Sequence, residues 1–439
     1  MKITLIFPGI TFTGWNSFGK SKDFEANFVH HGLASISSYL KFHGHDVNLI
    51  DLRKLNGWEH FKQVINDDKA EIFGISSMSC DYENSKTAAR IIKRVKPYSV
   101  VVIGGVHSTM CTKEVSMDTC FDYIIIGEGE YSFNNLINSL DGIYSENDYY
   151  KIRNRELVDI NNIPWIDRQS FDCENGENNN SLIPHFQTPF VTITTSRGCI
   201  YNCRYCQYAE REIFGKVKIR PVFDVIKELQ YLKFKYKFSS FWIHDDLFAI
   251  NGDYVSNFVK LFKYNIYPSQ FGCQIRADII CEHEDRIKKL ADIGLDCVSI
   301  GFESGSQRVL DFINKGTTVE QNRKAVEICR KYGIKVYANI MFGLPTETKT
   351  DMDKTVKFVR WAKPDYLSMA TFTPYPGSYL YDYCKKEGLL IELTGDEYRR
   401  NPMTGKKIKG VNYNTVNYSV FKCDPKAFIY SLGKKWGIL

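Results

Sequence analysis

The sequence predicts an α/β protein built from two successive parallel-sheet domains. A doubly wound sheet is expected over residues 1–140 and a partial six-unit βα barrel over 189–393. Three observations carry this. Strand-like and helix-like runs alternate through both regions. Several strands, such as Val100-Val101-Val102-Ile103 and Tyr123-Ile124-Ile125-Ile126, are apolar on both faces, as parallel strands covered by helices must be. Between the regions, 141–188 reads as a linker, with the Asn-rich run 174–180 offering little to bury.

In the first region the pattern gives strands at 3–7, 47–51, 71–76, 100–104 and 123–127, and helices at 31–43, at 85–96 and from Tyr131. This is a Rossmann-like or flavodoxin-like order, which binds ligands at the carboxyl ends of its strands. In the second, strands are expected at 191–195, 240–244, 270–276, 297–301, 335–341 and 366–371, with helices between them. Six βα units fall short of the eight that close a barrel, so an open, partial barrel follows. Residues 394–439 are basic and aromatic and read as an extension packing over the barrel.

The hydrophobic fraction of 44% is ordinary for a globular chain, and a formal net charge of +6 spread over 439 residues does not point to nucleic acid. The opening Met1-Lys2-Ile3-Thr4-Leu5-Ile6-Phe7-Pro8-Gly9 is too short and too soon broken by Pro and Gly for a signal peptide. No run of eighteen apolar residues offers a spanning helix. Thirteen cysteines without an export signal point to the reducing cytoplasm and free thiols.

Three of those cysteines form the most informative feature. Cys199, Cys203 and Cys206 stand in the run Thr195-Ser196-Arg197-Gly198-Cys199-Ile200-Tyr201-Asn202-Cys203-Arg204-Tyr205-Cys206-Gln207, on a loop leaving a β-branched strand. The C-x3-C-x2-C spacing supplies three thiolates to one cluster. A [4Fe-4S] cluster normally takes four cysteines, so one iron stays open. A zinc knuckle is the competing reading, but structural zinc wants four ligands in two pairs, and no second C-x2-C or His pair follows.

With Tyr205 before the last cysteine, the motif resembles the radical S-adenosylmethionine (SAM) superfamily. The resemblance implies that the open iron chelates the amino and carboxylate groups of SAM, whose reductive cleavage yields a 5'-deoxyadenosyl radical. It implies SAM contacts from Tyr205 and Gln207 beside Cys206, and from the barrel's strand ends. Asp245 or Asp246 in Trp242-Ile243-His244-Asp245-Asp246 would receive the SAM ammonium, or else serve as a helix cap. Arg276 would clamp the carboxylate. Glu303 and Ser304 in Gly301-Phe302-Glu303-Ser304-Gly305 would contact ribose and carboxylate, and Asn339 and Gly343 would lie near adenine. Tyr375 would face the substrate as the catalytic candidate.

In the first region Ser76-Ser77-Met78, Gly104-Gly105-Val106-His107 and Gly127-Glu128 sit at predicted strand ends. Plain turn glycines account for such positions equally well. They also resemble the S-x-L and Gly-Gly elements of a cobalamin-binding (B12-binding) domain placed before a radical SAM core. That family's first element, D-x-H-x-x-G, is altered here. Asn27-Phe28-Val29-His30-His31-Gly32 keeps Gly32 but puts Val29 where the cobalt-ligating His belongs. The resemblance therefore implies cobalamin held without a protein His as lower ligand; His30 and His31 read more simply as surface or cap residues.

The activity implied is that of a cobalamin-dependent radical SAM methyltransferase. The deoxyadenosyl radical would abstract hydrogen from an unactivated carbon, or in some members phosphorus, and methylcobalamin would donate the methyl group. A second SAM would remethylate cob(I)alamin. An electron donor such as ferredoxin or flavodoxin is implied, with a small-molecule, lipid or peptide substrate. The alternatives are a non-methylating rearrangement or cyclisation on the same architecture, and a non-catalytic corrinoid carrier or sensor. A methylthiotransferase is disfavoured, because Cys80, Cys111 and Cys120 are too irregular for a second cluster.

Overall fold

A computed structural model describes residues 1–9, 29–140, 152–153, 156–171, 181, 183–206, 216–400 and 405–425. The chain divides into two compact units, Met1–Pro189 and, in the main, the residues from Phe190 onward. Among the described residues no helix is long and apolar enough to cross a membrane.

The first unit is a six-stranded parallel sheet in the order β2-β1-β3-β4-β5-β6. Its strands are β1 (Lys2–Phe7), β2 (Asp46–Asp51), β3 (Ile72–Ser76), β4 (Val100–Gly104), β5 (Tyr123–Ile125) and β6 (Ile152–Arg153). The period-2 alternation of strands sorts the side chains onto two faces. Ile6, Phe73, Ile75, Val101, Ile103 and Ile124 pack with α2 (Trp58–Asp67), α3 (Tyr82–Val95) and the helix Thr112–Met117. Ile3, Leu5, Phe7, Ile72, Val102 and Ile125 meet α1 (His31–Phe42) and the helix Glu130–Leu140 on the other face. Covering both faces is what a doubly wound sheet requires. Because β1 lies between β2 and β3, the winding reverses there, and Pro8 and Ser76–Ser77 stand at that switch point.

Part of the expected linker is built into this unit. Residues 152–153 add the sixth strand to the sheet. Further on, Asp167 accepts from Ser37 Oγ and Lys41 Nζ, both at 2.6 Å, and Ser38 donates to the Trp165 carbonyl, strapping the segment along α1. The Asn-rich run 174–180 lies outside the described residues.

The second unit has a sheet whose order follows the chain, β7-β10-β11-β12-β13-β14, all parallel. The strands are β7 (Phe190–Ile193), β10 (Ser240–Ile243), β11 (Gln270–Gln274), β12 (Leu295–Glu303), β13 (Lys335–Phe342) and β14 (Tyr366–Thr371). A small antiparallel pair, β8 (Ser196–Arg197) with β9 (Lys218–Ile219), frames the cysteine loop. Stepping always to the next neighbour is the walk of a βα barrel, and with six strands β7 and β14 remain as edges.

Two of the covering helices, Val319–Lys331 and Lys349–Ala362, start with capping boxes at Thr318/Gln321 and Thr348/Asp351. The helix Tyr413–Cys423 from the extension buries Val416 and Val420 in the barrel's core. Phe238, Phe241, Phe258, Phe262 and Phe271 form an aromatic cluster at its start, with Phe241 and Phe271 stacked at 5.2 Å.

Phe271 is fully buried at the centre of that cluster. Truncation there leaves a cavity among rings that cannot collapse. Phe271→Ala is expected to cost about 3–5 kcal/mol, read as a fall in the melting temperature of the purified protein.

Candidate active site

At the carboxyl ends of the barrel strands lies a cavity of about 610 Å³, within the usual size of small-molecule sites. Cys199, Cys203 and Cys206 all line it. The loop carrying them is held by its backbone rather than by its thiols. Arg204 N–H donates to the Ile313 carbonyl at 2.9 Å, its guanidinium to Phe312 O at 2.8 Å, and its own carbonyl accepts from Leu380 N–H at 2.9 Å. Asn314 donates to the Asn202 carbonyl at 2.9 Å. None of the three is in a disulfide, Cys203 Sγ accepts from Arg276 Nη1 at 3.8 Å, and among the described residues no fourth Cys and no His lines the cavity. Three thiols without a fourth donor suit a [4Fe-4S] cluster that keeps one iron open, and do not suit structural zinc.

The strand ends supply polar groups in turn. After β10 the two carboxylates separate. Asp245 is buried and takes up Thr195 N–H at 2.6 Å, Thr195 Oγ1 at 2.5 Å and Ser196 Oγ at 2.7 Å. Burial raises its carboxyl to about 6 despite those donors. Asp246 is exposed, accepts from Gly198 N–H at 3.1 Å and lines the cavity. Of the alternatives left open by sequence, Asp246 is the one placed to meet a ligand; Asp245 shapes the loop instead.

After β11, Arg276 lines the cavity with its Nη1 3.8 Å from Cys203 Sγ and its plane over the Tyr201 ring at 3.5 Å. Asp278 holds it from behind through Nε at 3.0 Å and Nη2 at 2.9 Å, and Nη2 also donates to the Lys315 carbonyl at 2.6 Å. Most of its donors are thus engaged within the protein, which makes it a fixed positive charge beside the cysteines more than a free clamp.

β12 ends in a bulge at Gly301/Glu303, and Glu303 takes a left-handed backbone with φ of +62°. That twist turns its carboxylate to Tyr205 Oη at 2.8 Å and to Lys315 Nζ at 3.0 Å, while Lys315 also reaches Tyr205 Oη at 3.1 Å. All three side chains line the cavity, and burial together with Glu303 drives the Tyr205 hydroxyl well above its ordinary range. A Cβ on Gly301 would stand 2.4 Å from Glu303 Oε1 and 2.8 Å from Lys315 Nζ, so both charged ends would have to shift to admit one. Ser304 does not line the cavity. It is buried and its hydroxyl pairs with Thr355 Oγ1 at 3.0 Å, so the expected ligand contact from it gives way to a packing role.

Asn339 lines the cavity and donates to Ser299 Oγ at 2.9 Å. Gly343 stands apart from the lining, with φ of +78°, its N–H given to Glu347 Oε2 at 2.7 Å. Tyr375, the expected catalytic group, is also outside the lining. Its hydroxyl donates to the Tyr398 carbonyl at 2.6 Å and its ring stacks on Tyr398, because the turn after β14 aims it at the extension. Gln207 lies outside the described residues. Sequence reasoning missed Lys315, Gln274, Ser299, Ser368 and Arg400, which line the cavity. Lys315 carries no sequence signal, since it stands in the polar turn Asn314-Lys315-Gly316 and its burial is seen only in the structure.

The first unit's expected ligand positions gather at the switch point. Ser77 N–H donates to Gly104 O at 2.9 Å and Ser77 O accepts from His107 N–H at 3.0 Å, so the ends of β3 and β4 are laced together. Gly105 has φ of +95°, and a Cβ on it would lie 2.8 Å from both Ser77 N and O. Only glycine fits there. Met78 is exposed, Gly127 N–H donates to Thr109 Oγ1 at 3.0 Å, and Glu128 accepts from Val158 N–H at 3.1 Å. Half-buried glycines and small side chains at these strand ends suit a large cofactor such as a corrinoid. Val29 is buried in the core, and His30 caps α1 by accepting from Leu33 N–H at 3.1 Å, the cap role anticipated for it. His107 is buried against Tyr82, so its imidazole is not a surface group for a corrinoid.

One titration follows from this geometry. Burial pushes the Glu347 carboxyl up from 4.5 to about 8, against the pull of the Gly343 and Leu344 amides. A raised folded pKa means that the native state holds the proton. The stability it contributes is full below the ordinary carboxylate range and is lost as pH rises through about 8. Glu347→Gln, neutral throughout, should gain melting temperature over the parent progressively as pH rises across this window. A difference that does not change with pH would refute this.

Comparison with known proteins places these sites in a family. The Radical SAM superfamily matches residues 193–359 and the B12 binding domain matches 24–137. An uncharacterised methyltransferase of Pyrococcus horikoshii is 30% identical over 84% of this chain and 81% of its own. The bacteriochlorophyllide d C-8(2)-methyltransferase of Chlorobaculum tepidum is 26% identical over 81% of this chain and 76% of its own. The cobalamin-dependent SAM radical enzyme OxsB, solved with aqua-cobalamin and SAM bound, superposes with a TM-score of 0.74 at 17% identity, covering 95% of this chain and 65% of that one. The radical SAM methyltransferase TsrM of Kitasatospora setae, with cobalamin and a [4Fe-4S] cluster, gives 0.69 at 15% identity over 88% and 78%. The chain belongs to the radical SAM superfamily, among its B12-binding-domain members, the cobalamin-dependent radical SAM methyltransferases.

Proposed function

We propose that this chain methylates an unactivated carbon of a small organic substrate held in the barrel cavity. The observation that carries the reading is the cavity itself: three cysteines outside any disulfide share it with Asp246, Arg276, Lys315 and Asn339, and among the described residues its lining offers no fourth thiol. When bound, the cluster and SAM supply a hydrogen-abstracting radical and the corrinoid supplies the methyl group.

The residues' part is binding, orientation and electrostatics. Cys199, Cys203 and Cys206 hold the cluster. Asp246 would accept from the SAM ammonium, and Asn339 would lie near adenine. Arg276, fixed by Asp278, places positive charge next to the Cys203 sulfur, offsetting the negative charge of thiolate ligation. Lys315 offers an ammonium donor to a carboxylate, and Glu303 with Tyr205 holds that ammonium in place. Gly32, Ser76, Ser77, Met78, Gly104, Gly105, Val106, Gly127 and Glu128 form the corrinoid cradle of the first unit, without an imidazole from the Val29 position. An electron donor of the ferredoxin or flavodoxin class and a cytoplasmic setting complete the reading. OxsB extends well beyond the region matched here, so nothing of its substrate is carried over.

Cys203→Ala should lose the iron, and with it all SAM cleavage, while retaining cobalt in protein made with cobalamin. Asp246→Asn should keep the iron and raise the SAM KM about 10- to 100-fold, the range for losing a hydrogen bond to a charged group. Anaerobic turnover with candidate acceptors should yield S-adenosylhomocysteine and 5'-deoxyadenosine together. Deoxyadenosine alone, with a rearranged product, would replace methylation by the cyclisation reading.

A further inference from the structure

Behind the glycine corner of the first unit, three ligating side chains of different chemistry converge without any part in the site above. His107, Cys111 and Glu114 follow one another at i, i+4 and i+7 across the helices Val106–Met110 and Thr112–Met117, and so share a face. One ligand atom from each lies within 4.8 Å of the others. His107 Nε2 stands 4.0 Å from Glu114 Oε1.

The imidazole is the independent pointer. Its side chain is 3% exposed, and Nε2 has no hydrogen-bond partner. A buried nitrogen left without a partner is costly. Its other nitrogen is held by Ser79 Oγ at 3.1 Å, and the ring lies on Tyr82 at 4.1 Å. Thus Nε2 is aimed at Cys111 and Glu114 by a hydrogen bond on Nδ1, the arrangement that orients ligating histidines. The Lys86 ammonium lies over the Tyr82 ring at 4.8 Å and is paired with Glu83 at 2.7 Å, so its charge is partly compensated.

We propose that His107 Nε2, Cys111 Sγ and a Glu114 carboxylate oxygen bind a zinc ion, with water in the fourth position. Imidazole, thiolate and carboxylate together form a borderline donor set suited to zinc and poorly suited to calcium or magnesium. Tetrahedral zinc with bonds of about 2.0–2.3 Å sets its donors about 3.3–3.6 Å apart. The 4.0 Å between His107 Nε2 and Glu114 Oε1 must close by about half an ångström, and the widest pair, within 4.8 Å, by up to about 1.5 Å. Glu114, whose side chain is 57% exposed and hydrogen-bonded to Cys111, would move toward His107, which is already fixed. On binding, the Cys111 thiol releases its proton to solvent. With water completing its shell the ion would sit in an open rather than a closed structural site, its imidazole ligand oriented by Ser79.

The test uses the full chain with Cys199, Cys203 and Cys206 all changed to Ala, so that cluster thiols cannot take the metal. Zinc ion alone is supplied, and content, affinity and X-ray absorption are measured. One zinc per chain is expected, with one sulfur among nitrogen and oxygen ligands. Glu114→Gln, an exposed change that leaves the core intact, should weaken binding at least tenfold, and Ser79→Ala should weaken it about 10- to 100-fold through the orienting hydrogen bond. Cys111→Ser should remove the sulfur from the absorption spectrum. Binding unaffected by Glu114→Gln and Ser79→Ala, a spectrum without sulfur, or no stoichiometric zinc would each overturn the assignment.

Discussion

The active cavity depends on one buried ion pair. Glu303 and Lys315 meet at 3.0 Å with side chains 10% and 7% exposed, and neither charge could be left alone there without a large desolvation cost. Around that pair the site is assembled. Tyr205 ties it to the cysteine loop, the Lys315 carbonyl ties it to Arg276, and the preceding Ile313 carbonyl receives the Arg204 amide. The left-handed backbone at Glu303 and the bare Gly301 are the conformational concessions that let carboxylate and ammonium meet. Three separate segments of chain are thereby set around three thiols, none of which has to hold the loop together.

The same βα alternation yields two different sheets because the order of strand addition differs. In the first unit the chain reverses direction beside β1, and both faces acquire helices; the ligand corner is the gap where winding reverses. In the second every strand is laid beside its predecessor, so the sheet curves without reversing and all six carboxyl ends converge on one mouth. Convergence explains why β10, β11, β12 and β13 can each contribute one polar group to a single cavity. A flat sheet would have spread them about 5 Å apart per strand.

Central strands were legible because burial on both faces writes itself as continuous apolar runs, and Val100–Gly104 matches its expected limits; the half-buried edge strand Tyr366–Thr371 also matches, though Ser and Thr interrupt its run. α2 and the pair of short helices after β4 were not, since their apolar positions are few and scattered among charged and hydroxyl residues. In the site, the cysteine trio was legible because its chemistry depends on spacing along one loop. Orientation was not. Asp245 and Asp246 are the same residue type side by side, yet the pleat sends one into Thr195 and Ser196 and leaves the other on the cavity. Ser304 and Tyr375 sit at strand ends as expected, but Thr355 and the Tyr398 carbonyl, remote in sequence, claim their hydroxyls. Lys315 was overlooked because it lies in a turn twelve residues past its partner.

The altered corrinoid motif has a packing explanation. Val29 is 4% exposed among Phe7, Leu33 and the other apolar residues beneath α1. An imidazole at that position would have to be buried there or pull the chain outward, and burying it without a partner is costly. His30, one residue on, cannot substitute freely, because its Nδ1 accepts the Leu33 amide that opens α1 and its ring packs on Phe7 at 4.8 Å. The segment's side chains are thus spent on starting the helix and closing the core. What this sheet offers a corrinoid is backbone and small side chains at Ser76–Ser77 and Gly104–Gly105. On the proposed reading a corrinoid would be held at that corner by its periphery.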